Sequence, residues 1–171
     1  MESPPDDTIW ITETLVSHSA DETFRLGEAF GKEAVGGEVI GLIGGLGTGK
    51  TQWVQGLASG LGVDPASVNS PTFVLMQHHP GRIPLCHIDL YRMNSEKEIT
   101  HLGLDEYIGG LGVTAIEWAD KKEGLGKMAD LMITLRDREG DQRAVSLSSC
   151  HPRIVDWIGR ICSLDVFSKG G

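Results

Sequence analysis

The sequence predicts an α/β protein that folds as one domain, and three observations indicate this. Short apolar runs suited to buried strands alternate with segments whose apolar residues recur at helical spacing. A glycine-rich loop with the pattern G-x-x-x-x-G-K-T lies between one such run and a helical segment. The chain has 171 residues, a usual size for one domain with a substantial core.

We expect the folded domain to span residues 9–163. Residues 1–8 are acidic and contain two prolines, so they predict a flexible leader rather than a secretory signal. Residues 164–171 predict a flexible tail. No apolar run approaches the roughly 20 residues that a membrane helix needs.

The first third of the chain predicts two strands and two helices. Residues 9–15, apolar at both ends, predict an opening strand. A helix follows, in which Ser19 is a candidate N-cap and Glu22, three residues later, completes a capping-box pattern. Residues 38–43 predict a buried strand before the glycine-rich loop, and residues 52–61 predict the helix after it.

The remainder of the chain predicts further strands at residues 74–79, 83–88, 113–116, 131–135 and 143–148, and helices at residues 95–101 and 151–162. The last two strands flank a turn at residues 137–142, which predicts a hairpin. Residues 121–127 are polar and contain glycine, so we expect a loop there. The apolar stripe of the last helix predicts packing against the core.

Composition restricts the possible partners. The formal net charge is −9, and no stretch is rich in Lys or Arg. Proteins that bind nucleic acid usually carry a basic patch, so a role in a nucleic-acid process would run through a partner protein. Cys86, Cys150 and Cys162 are odd in number and lack metal-ligand spacing, which favours free thiols in a reducing cytoplasm.

The glycine-rich loop predicts a site for nucleotide phosphates. Glycines let successive backbone N–H groups turn toward an anion, and the helix that follows directs its N-terminus to the same point. Lys50 supplies a mobile positive charge for the phosphate oxygens, and Thr51 supplies a hydroxyl that can ligate Mg²⁺. The loop consists of Gly44, Gly45, Leu46, Gly47, Thr48, Gly49, Lys50 and Thr51.

Two carboxylates are candidates for completing this site. Asp89 and Glu117 each follow a short apolar strand, so both are expected at the sheet edge where open α/β proteins bind ligands. One acid would hold Mg²⁺ or its waters and the other would orient the attacking water. The spacing does not assign these two roles.

Two other motifs are weaker evidence for a function. Thr72, after a proline, could serve as a nucleotide-sensing hydroxyl, although Ser-Pro-Thr alone indicates only a turn. Residues 137–140 match the D-x-x-G of GTPases but fall in the predicted hairpin turn. The chain contains no N-K-x-D motif for guanine, so we exclude a GTPase.

The motifs together resemble the TsaE (YjeE) family, small bacterial ATPases of tRNA threonylcarbamoyladenosine biosynthesis. The H-x-D-L-Y-R hexad and the E-W pair are more specific than the phosphate loop, and the resemblance covers residues 11–149. In chain order the motifs are G-G-L-G-T-G-K-T at 44–51, S-P-T-F at 70–73, H-I-D-L-Y-R at 87–92, G-L-D-E-Y at 103–107 and I-E-W at 116–118.

The resemblance implies a P-loop NTPase fold with helices around a central mixed sheet, parallel in its core and antiparallel at its margins. It also implies weak, Mg²⁺-dependent ATP hydrolysis that depends on a complex with the TsaB and TsaD proteins. ATP or ADP and Mg²⁺ would be the cofactors. Contact with tRNA would be indirect, through that complex.

The resemblance also implies roles for individual residues. Residues 44–51 would bind the phosphates and Thr51 would ligate Mg²⁺. Asp89 would be the switch II acid and Glu117 a Walker B-like acid near Mg²⁺, with Trp118 beside it in the site. The segment 70–73, which contains Thr72, would be switch I. Lys50, Asp89 and Glu117 are therefore the catalytic candidates.

Two departures from the family pattern bear on activity. The family loop usually begins Gly-Asp, whereas Gly45 stands at the second position here. The family's late hairpin often carries Gly-Arg, whereas Gly140 is followed here by Asp141. The nearest arginine is Arg143, and the sequence does not assign it a nucleotide contact.

Two alternatives remain open at this point. A small-molecule or nucleoside kinase also begins with a phosphate loop, but it needs an acceptor pocket and an arginine-bearing lid. Residues 121–127 contain no arginine and would make a poor lid. A nucleotide-dependent binding module with negligible hydrolysis would be consistent with the glycine at position 45.

Overall fold

The computed structural model describes residues 8–69, 75–164 and 167–169. The strands are β1 Ile11–Ser17, β2 Val39–Ile43, β3 Met76–His79, β4 Leu85–Asp89, β5 Val113–Glu117, β6 Leu131–Asp137, β7 Arg143–Ser149 and β8 Ser168–Lys169. The helices are α1 Ala20–Glu33, α2 Lys50–Gly60, α3 Glu96–His101, α4 Leu125–Met128 and α5 Pro152–Cys162. Turns of 3₁₀ helix lie at Pro65–Ser67, Leu104–Glu106 and Ala119–Lys121.

One mixed sheet organises the described part of the chain. Its strand order is β3-β4-β5-β2-β6-β7-β1-β8. Strands β4, β5, β2 and β6 are parallel to one another. The outer strands β3, β7, β1 and β8 pair antiparallel with their neighbours. The predicted α/β fold, with a parallel core and antiparallel margins, is confirmed.

Helices and turns cover both faces of the sheet. Alternation along β2 shows this, because Val39 packs into one apolar cluster and Ile40 into the other. The larger cluster joins the sheet to α1, α2 and α5. The smaller cluster joins it to α3 and α4. The apolar stripe of α5 belongs to the larger cluster, as the sequence predicts.

Helices α1 and α2 pack backbone against backbone. A Cβ atom added to Gly27 would lie 2.1 Å from the Trp53 carbonyl oxygen, and one added to Gly56 would lie 1.9 Å from that of Phe24. No side chain fits at either distance, so the close crossing of the helices requires glycine. Both helices begin at the same edge of the sheet, and this contact holds them side by side.

The start of α1 has the predicted cap with one difference. Ser19 Oγ accepts a hydrogen bond from the Glu22 backbone N–H at 3.1 Å. The Glu22 carboxylate accepts its return bond from the backbone N–H of His18, at 2.7 Å, rather than from that of Ser19. The cap therefore fixes where the helix begins, with two residues between the end of β1 and the start of α1.

Some segments differ from the sequence-based prediction. The expected loop at 121–127 contains the start of helix α4, whose Leu125 is buried. The expected flexible tail is corrected at residues 167–169, since Phe167 is buried and β8 pairs with β1. Residues 1–7 of the predicted leader at 1–8, and the segment 70–74, lie outside the described residues. No helix within the described ranges is long and apolar enough to span a membrane.

Candidate functional site

A cavity of about 630 Å³ opens at the carboxyl ends of the parallel strands. It brings together residues 46–51 of the phosphate loop, both candidate acids and Trp118, whereas Gly44 and Gly45 are not among its lining residues. Thr72, the predicted switch hydroxyl, lies outside the described residues. The lining residues are Ser19, Ala20, Thr23, Leu46, Gly47, Thr48, Gly49, Lys50, Thr51, Gln52, Asp89, Tyr91, Glu117, Trp118, Asp141 and Arg143.

The loop between β2 and α2 has the geometry of an anion site. Gly47 and Gly49 adopt φ values of 74° and 101°, in the left-handed region that favours glycine. A Cβ atom on Gly44 would lie 2.6 Å from the Thr48 hydroxyl, so this position also needs glycine. Helix α2 begins at Lys50, and its first amides have no partner inside the helix. These N–H groups therefore face the cavity as donors for an anion.

Lys50 is held at the base of the loop. Its Nζ donates hydrogen bonds to the carbonyl oxygens of Gly44, at 2.6 Å, and Gly45, at 2.7 Å. The same atom lies 4.3 Å from the centre of the Trp118 ring. Burial lowers the pKa of Lys50, while nearby carboxylates, Glu117 foremost, raise it. The ammonium group thus lies between the loop and the two acids.

Asp89 and Glu117 end neighbouring parallel strands and are directly paired in register. Both side chains are buried, with Glu117 only 1% exposed. Glu117 Oε1 accepts a hydrogen bond from Thr51 Oγ1 at 2.9 Å, which joins the end of β5 to the first turn of α2. Asp89 Oδ1 accepts from the Tyr91 backbone N–H at 2.9 Å. The structure therefore places both acids beside the phosphate loop.

The surroundings of Glu117 favour its charged form. Burial raises the pKa of this carboxyl group, but interactions with His87, Thr51 and Asp89 lower it. The net pKa lies below the ordinary value for glutamate. An ionised carboxylate therefore lies next to the Thr51 hydroxyl at neutral pH.

Trp118 turns the chain directly after Glu117. Its φ of 57° is the only positive value for a non-glycine residue in the described part of the chain. Such a backbone is uncommon for a bulky residue and costs on the order of 1–3 kcal/mol. This turn places the indole over Lys50 and 5.1 Å from the Tyr91 ring, measured between centres. The ring thus forms one wall of the cavity, as the resemblance implies.

The residues at this site fit a nucleotide with Mg²⁺. Asp89, Glu117 and Thr51 offer two carboxylates and a hydroxyl. Within the described ranges, no group of three or more His, Cys, Asp or Glu side chains could hold a metal. Mg²⁺ is usually bound by one or two carboxylates, with phosphate and water as its other ligands. Asp89, Glu117 and Thr51 could supply that share of the ligands next to the phosphate loop.

The cavity also contains residues that the sequence did not assign to it. Ser19 and Thr23 of the β1–α1 region line it, and so do Asp141 and Arg143 of the β6–β7 hairpin. Arg143 Nε donates to Asp137 Oδ1 at 3.0 Å, and its Nη2 lies 3.5 Å from the Gly47 carbonyl oxygen. The capping box predicted that Ser19 lies at the start of a helix, and the hairpin motif predicted that Arg143 lies at the start of a strand. Strand order was also needed, because it brings the ends of β1 and β6 to this edge.

Gly45 has room for a side chain. A Cβ atom at this position would meet only the Thr48 methyl group, at 3.8 Å, an ordinary contact distance. The Gly45 carbonyl oxygen accepts hydrogen bonds from Lys50 Nζ and Thr48 Oγ1. The difference from the family's usual aspartate therefore removes a carboxylate without reshaping the loop.

Comparison with known proteins gives consistent matches. The model of the family "Threonylcarbamoyl adenosine biosynthesis protein TsaE" matches residues 17–145. A Bacillus subtilis protein named "tRNA threonylcarbamoyladenosine biosynthesis protein TsaE" is 40% identical over 126 residues, covering 73% of this chain and 76% of its own length. The Aquifex aeolicus protein of the same name is 33% identical over 135 residues, covering 78% and 93%.

A solved structure has the same fold. The crystal structure of Bacillus subtilis YdiB superposes with a TM-score of 0.73 and 28% sequence identity. The superposition covers 92% of this chain and 98% of that one. The family match includes the phosphate loop, both acids and Trp118. On these matches, the chain belongs to the TsaE family of threonylcarbamoyladenosine biosynthesis proteins.

Proposed function

We propose that this protein is a weak, Mg²⁺-dependent ATPase that acts in the threonylcarbamoyladenosine modification of tRNA, together with TsaB and TsaD. Family membership supports the pathway. One observation supports the chemistry most directly: Glu117 accepts a hydrogen bond from Thr51, which places an ionised acid at the start of the phosphate-loop helix. Phosphoryl-transfer enzymes of this loop type require that combination.

The geometry supports a role for each residue. The loop amides and Lys50 would bind the phosphates of ATP or ADP, and Trp118 would cover Lys50. Thr51 and Glu117 would hold Mg²⁺, which neutralises phosphate charge when bound. Asp89, the neighbour of Glu117 in the sheet, would orient the attacking water. Its backbone contact with Tyr91 holds the Asp89 carboxylate in place for this role.

The charge of the chain supports an indirect role toward tRNA. With a net charge of −9, the protein would be repelled by a polyanion unless a partner contributed the basic surface. We therefore propose that TsaB and TsaD contact the tRNA, and that this protein contributes ATP hydrolysis to their complex.

Hydrolysis assays on purified proteins test this proposal. ATP turnover should be slow for this protein alone and faster when TsaB and TsaD are added. Lys50→Ala should remove the activity in both conditions. Efficient phosphorylation of a metabolite by the protein alone would favour a kinase instead. Tight nucleotide binding with no hydrolysis, even with both partners, would indicate a binding module.

Complementation tests the biological role. A bacterial strain lacking its own TsaE function would receive this gene, and threonylcarbamoyladenosine would be measured in bulk tRNA. The unaltered gene should restore the modification, and the Lys50→Ala variant should not. Failure of the unaltered, expressed protein to restore it would contradict the proposed role.

A further inference from the structure

His87 is a buried polar residue to which the proposed function assigns no role. Its side chain is fully enclosed in β4, at 0% exposure. Neither ring nitrogen makes a hydrogen bond to another described residue. Burying a polar group in this way costs free energy that an aliphatic side chain would not cost. The imidazole must therefore be explained by something other than packing.

The neighbours of His87 indicate what that explanation is. His87 and Asp89 are two residues apart on β4, so both lie on the face that carries Glu117 of β5. His87 Nε2 lies 3.7 Å from Glu117 Oε1. That same oxygen accepts the hydrogen bond from Thr51. The Glu117 carboxylate is thus approached by Thr51 from the cavity and by His87 from the core.

We propose that His87 is a positioning residue that holds the Glu117 carboxylate against Thr51, in the orientation that Mg²⁺ binding requires. This inference rests on the proposed function, because it concerns the metal ligand of that site. His87 does not line the cavity and would not touch nucleotide or metal. Residues behind a metal ligand commonly orient it, and their loss typically lowers metal affinity by about 10–100-fold.

A second buried histidine provides a matched control. His79 of β3 lies on the same face of the sheet and is also buried. Its Nδ1 lies 3.4 Å from Ser67 Oγ, and its Nε2 has no hydrogen-bond partner among the described residues. Among the described residues, no ion pair joins His79 to a carboxylate. Replacing either histidine by leucine is the same chemical change in the same layer.

The test measures how ADP affinity depends on Mg²⁺. Fluorescent ADP would be titrated at a series of Mg²⁺ concentrations into the unaltered protein and into His87→Leu, His87→Gln and His79→Leu. His87→Leu should need about 10–100-fold more Mg²⁺ for the same ADP affinity, with binding of metal-free ADP unchanged. His87→Gln should stay near the unaltered protein, because its amide nitrogen takes the place of Nε2. His79→Leu should show no change in Mg²⁺ dependence.

The outcomes separate this inference from the proposed function. Equal Mg²⁺ dependence in His87→Leu and His79→Leu would overturn the inference alone. No Mg²⁺ dependence in the unaltered protein would overturn both. If His87→Leu does not fold, His87→Asn replaces it, because asparagine mimics Nδ1 instead of Nε2. His87→Asn should then lose the Mg²⁺ response that His87→Gln retains, and equal behaviour of these two variants would contradict the inference.

Discussion

Enclosed carboxylates lie at both ends of the parallel strands, but their surroundings differ between the two ends. Glu38 and Asp130 precede β2 and β6, whereas Asp89 and Glu117 end β4 and β5. Because these four strands are parallel, the first pair lies at the edge opposite the cavity. Both pairs consist of acids taken largely out of water, but only one pair lines a cavity.

At the edge opposite the cavity, hydrogen bonds surround the acids. Glu38 accepts from the backbone N–H groups of Val35, at 2.9 Å, and Gly36, at 2.8 Å, and from Arg153 at 2.9 Å. Asp130 accepts from the Val39 N–H at 2.8 Å. These bonds tie a loop and the start of a strand to the carboxylates. They indicate a structural role for this pair.

At the cavity edge, the partners of the acids are themselves parts of a candidate site. Glu117 contacts the Thr51 hydroxyl and lies near the His87 ring, and the cavity gives a ligand access to both acids. Burial alone therefore does not identify a functional carboxylate. The distinguishing feature is whether protein groups surround the carboxylate with hydrogen bonds or leave it facing a cavity.

Among changes at the cavity edge, Lys50→Ala should have the largest effect, which is a loss of nucleotide affinity. It removes the cation beside the phosphates, and two or more charged hydrogen bonds with it, so nucleotide affinity should fall by about 1,000-fold, or about 4 kcal/mol. Burial lowers the pKa of this ammonium group and so disfavours its charged form, and thermal stability without nucleotide should therefore fall far less than nucleotide affinity. Nucleotide titration and thermal unfolding measure the two quantities. Lys32→Ala, at an exposed lysine of α1, serves as the control and should leave affinity unchanged.

Among changes at the opposite edge, Glu38→Ala should have the largest effect, which is a loss of stability. It leaves two backbone N–H groups and Arg153 without their acceptor, which should lower the free energy of unfolding by about 3 kcal/mol. Nucleotide affinity should not change in the folded protein. Urea unfolding measures the loss, and Arg153→Ala should cost less than half as much because that side chain is half exposed. A loss of nucleotide affinity without a loss of stability would contradict the comparison.

Glu117→Gln should separate binding from turnover. The amide keeps a hydrogen-bond acceptor for Thr51 but removes the charge beside Mg²⁺, so Mg²⁺-dependent hydrolysis should fall by about 100-fold. Affinity for metal-free ADP should change by less than about 3-fold, because Lys50 and the loop amides remain. Steady-state hydrolysis with both partner proteins and equilibrium ADP binding provide the readouts. Equal losses in both would indicate that Glu117 is structural, like Glu38.

Asp130→Asn should have the smallest effect, and it should depend on pH. Burial raises the pKa of Asp130 above its ordinary value of 3.8, although the hydrogen bond from Val39 opposes this. A raised pKa means that the protonated form favours the folded state, so the contribution of Asp130 to stability is lost as the pH rises through its folded pKa. The asparagine variant avoids that loss. Its stability relative to the unaltered protein should therefore increase as the pH rises from 3.8 toward neutrality, by less than about 1 kcal/mol.

Urea unfolding at a series of pH values, with both proteins in parallel, measures this difference. His151 Nε2 lies 3.2 Å from Asp130 Oδ1, and a dominant ion pair there would give the opposite trend. A relative stability that decreases with rising pH would therefore contradict the prediction and show that Asp130 is stabilised in its charged form.

Much of the candidate site could be predicted from local patterns. Glycine spacing indicated the phosphate loop, and Asp89 and Glu117 were selected because each follows an apolar strand. Glu38 and Asp130 precede β2 and β6, so the same rule does not select them. His87 was missed as a separate feature, although its spacing of two residues from Asp89 places both on one face of a strand. Arg143 stayed unassigned because its hairpin can be placed only when the strand order is known.

Interactions between residues close together in the chain explain what the sequence by itself determined. Positive φ values need glycine, a helix start needs a cap, and apolar alternation selects strands, so the strand–loop–helix unit around Lys50 follows from neighbouring residues. The tertiary structure alone decided which distant residues meet there. The pairing of β4 with β5 sets Asp89 beside Glu117 and brings His87 to the same carboxylate, and the order β2-β6-β7-β1 brings Arg143 and Ser19 to the cavity. Contacts between strands far apart in the chain depend on how the whole sheet buries its two faces, and no local pattern encodes that.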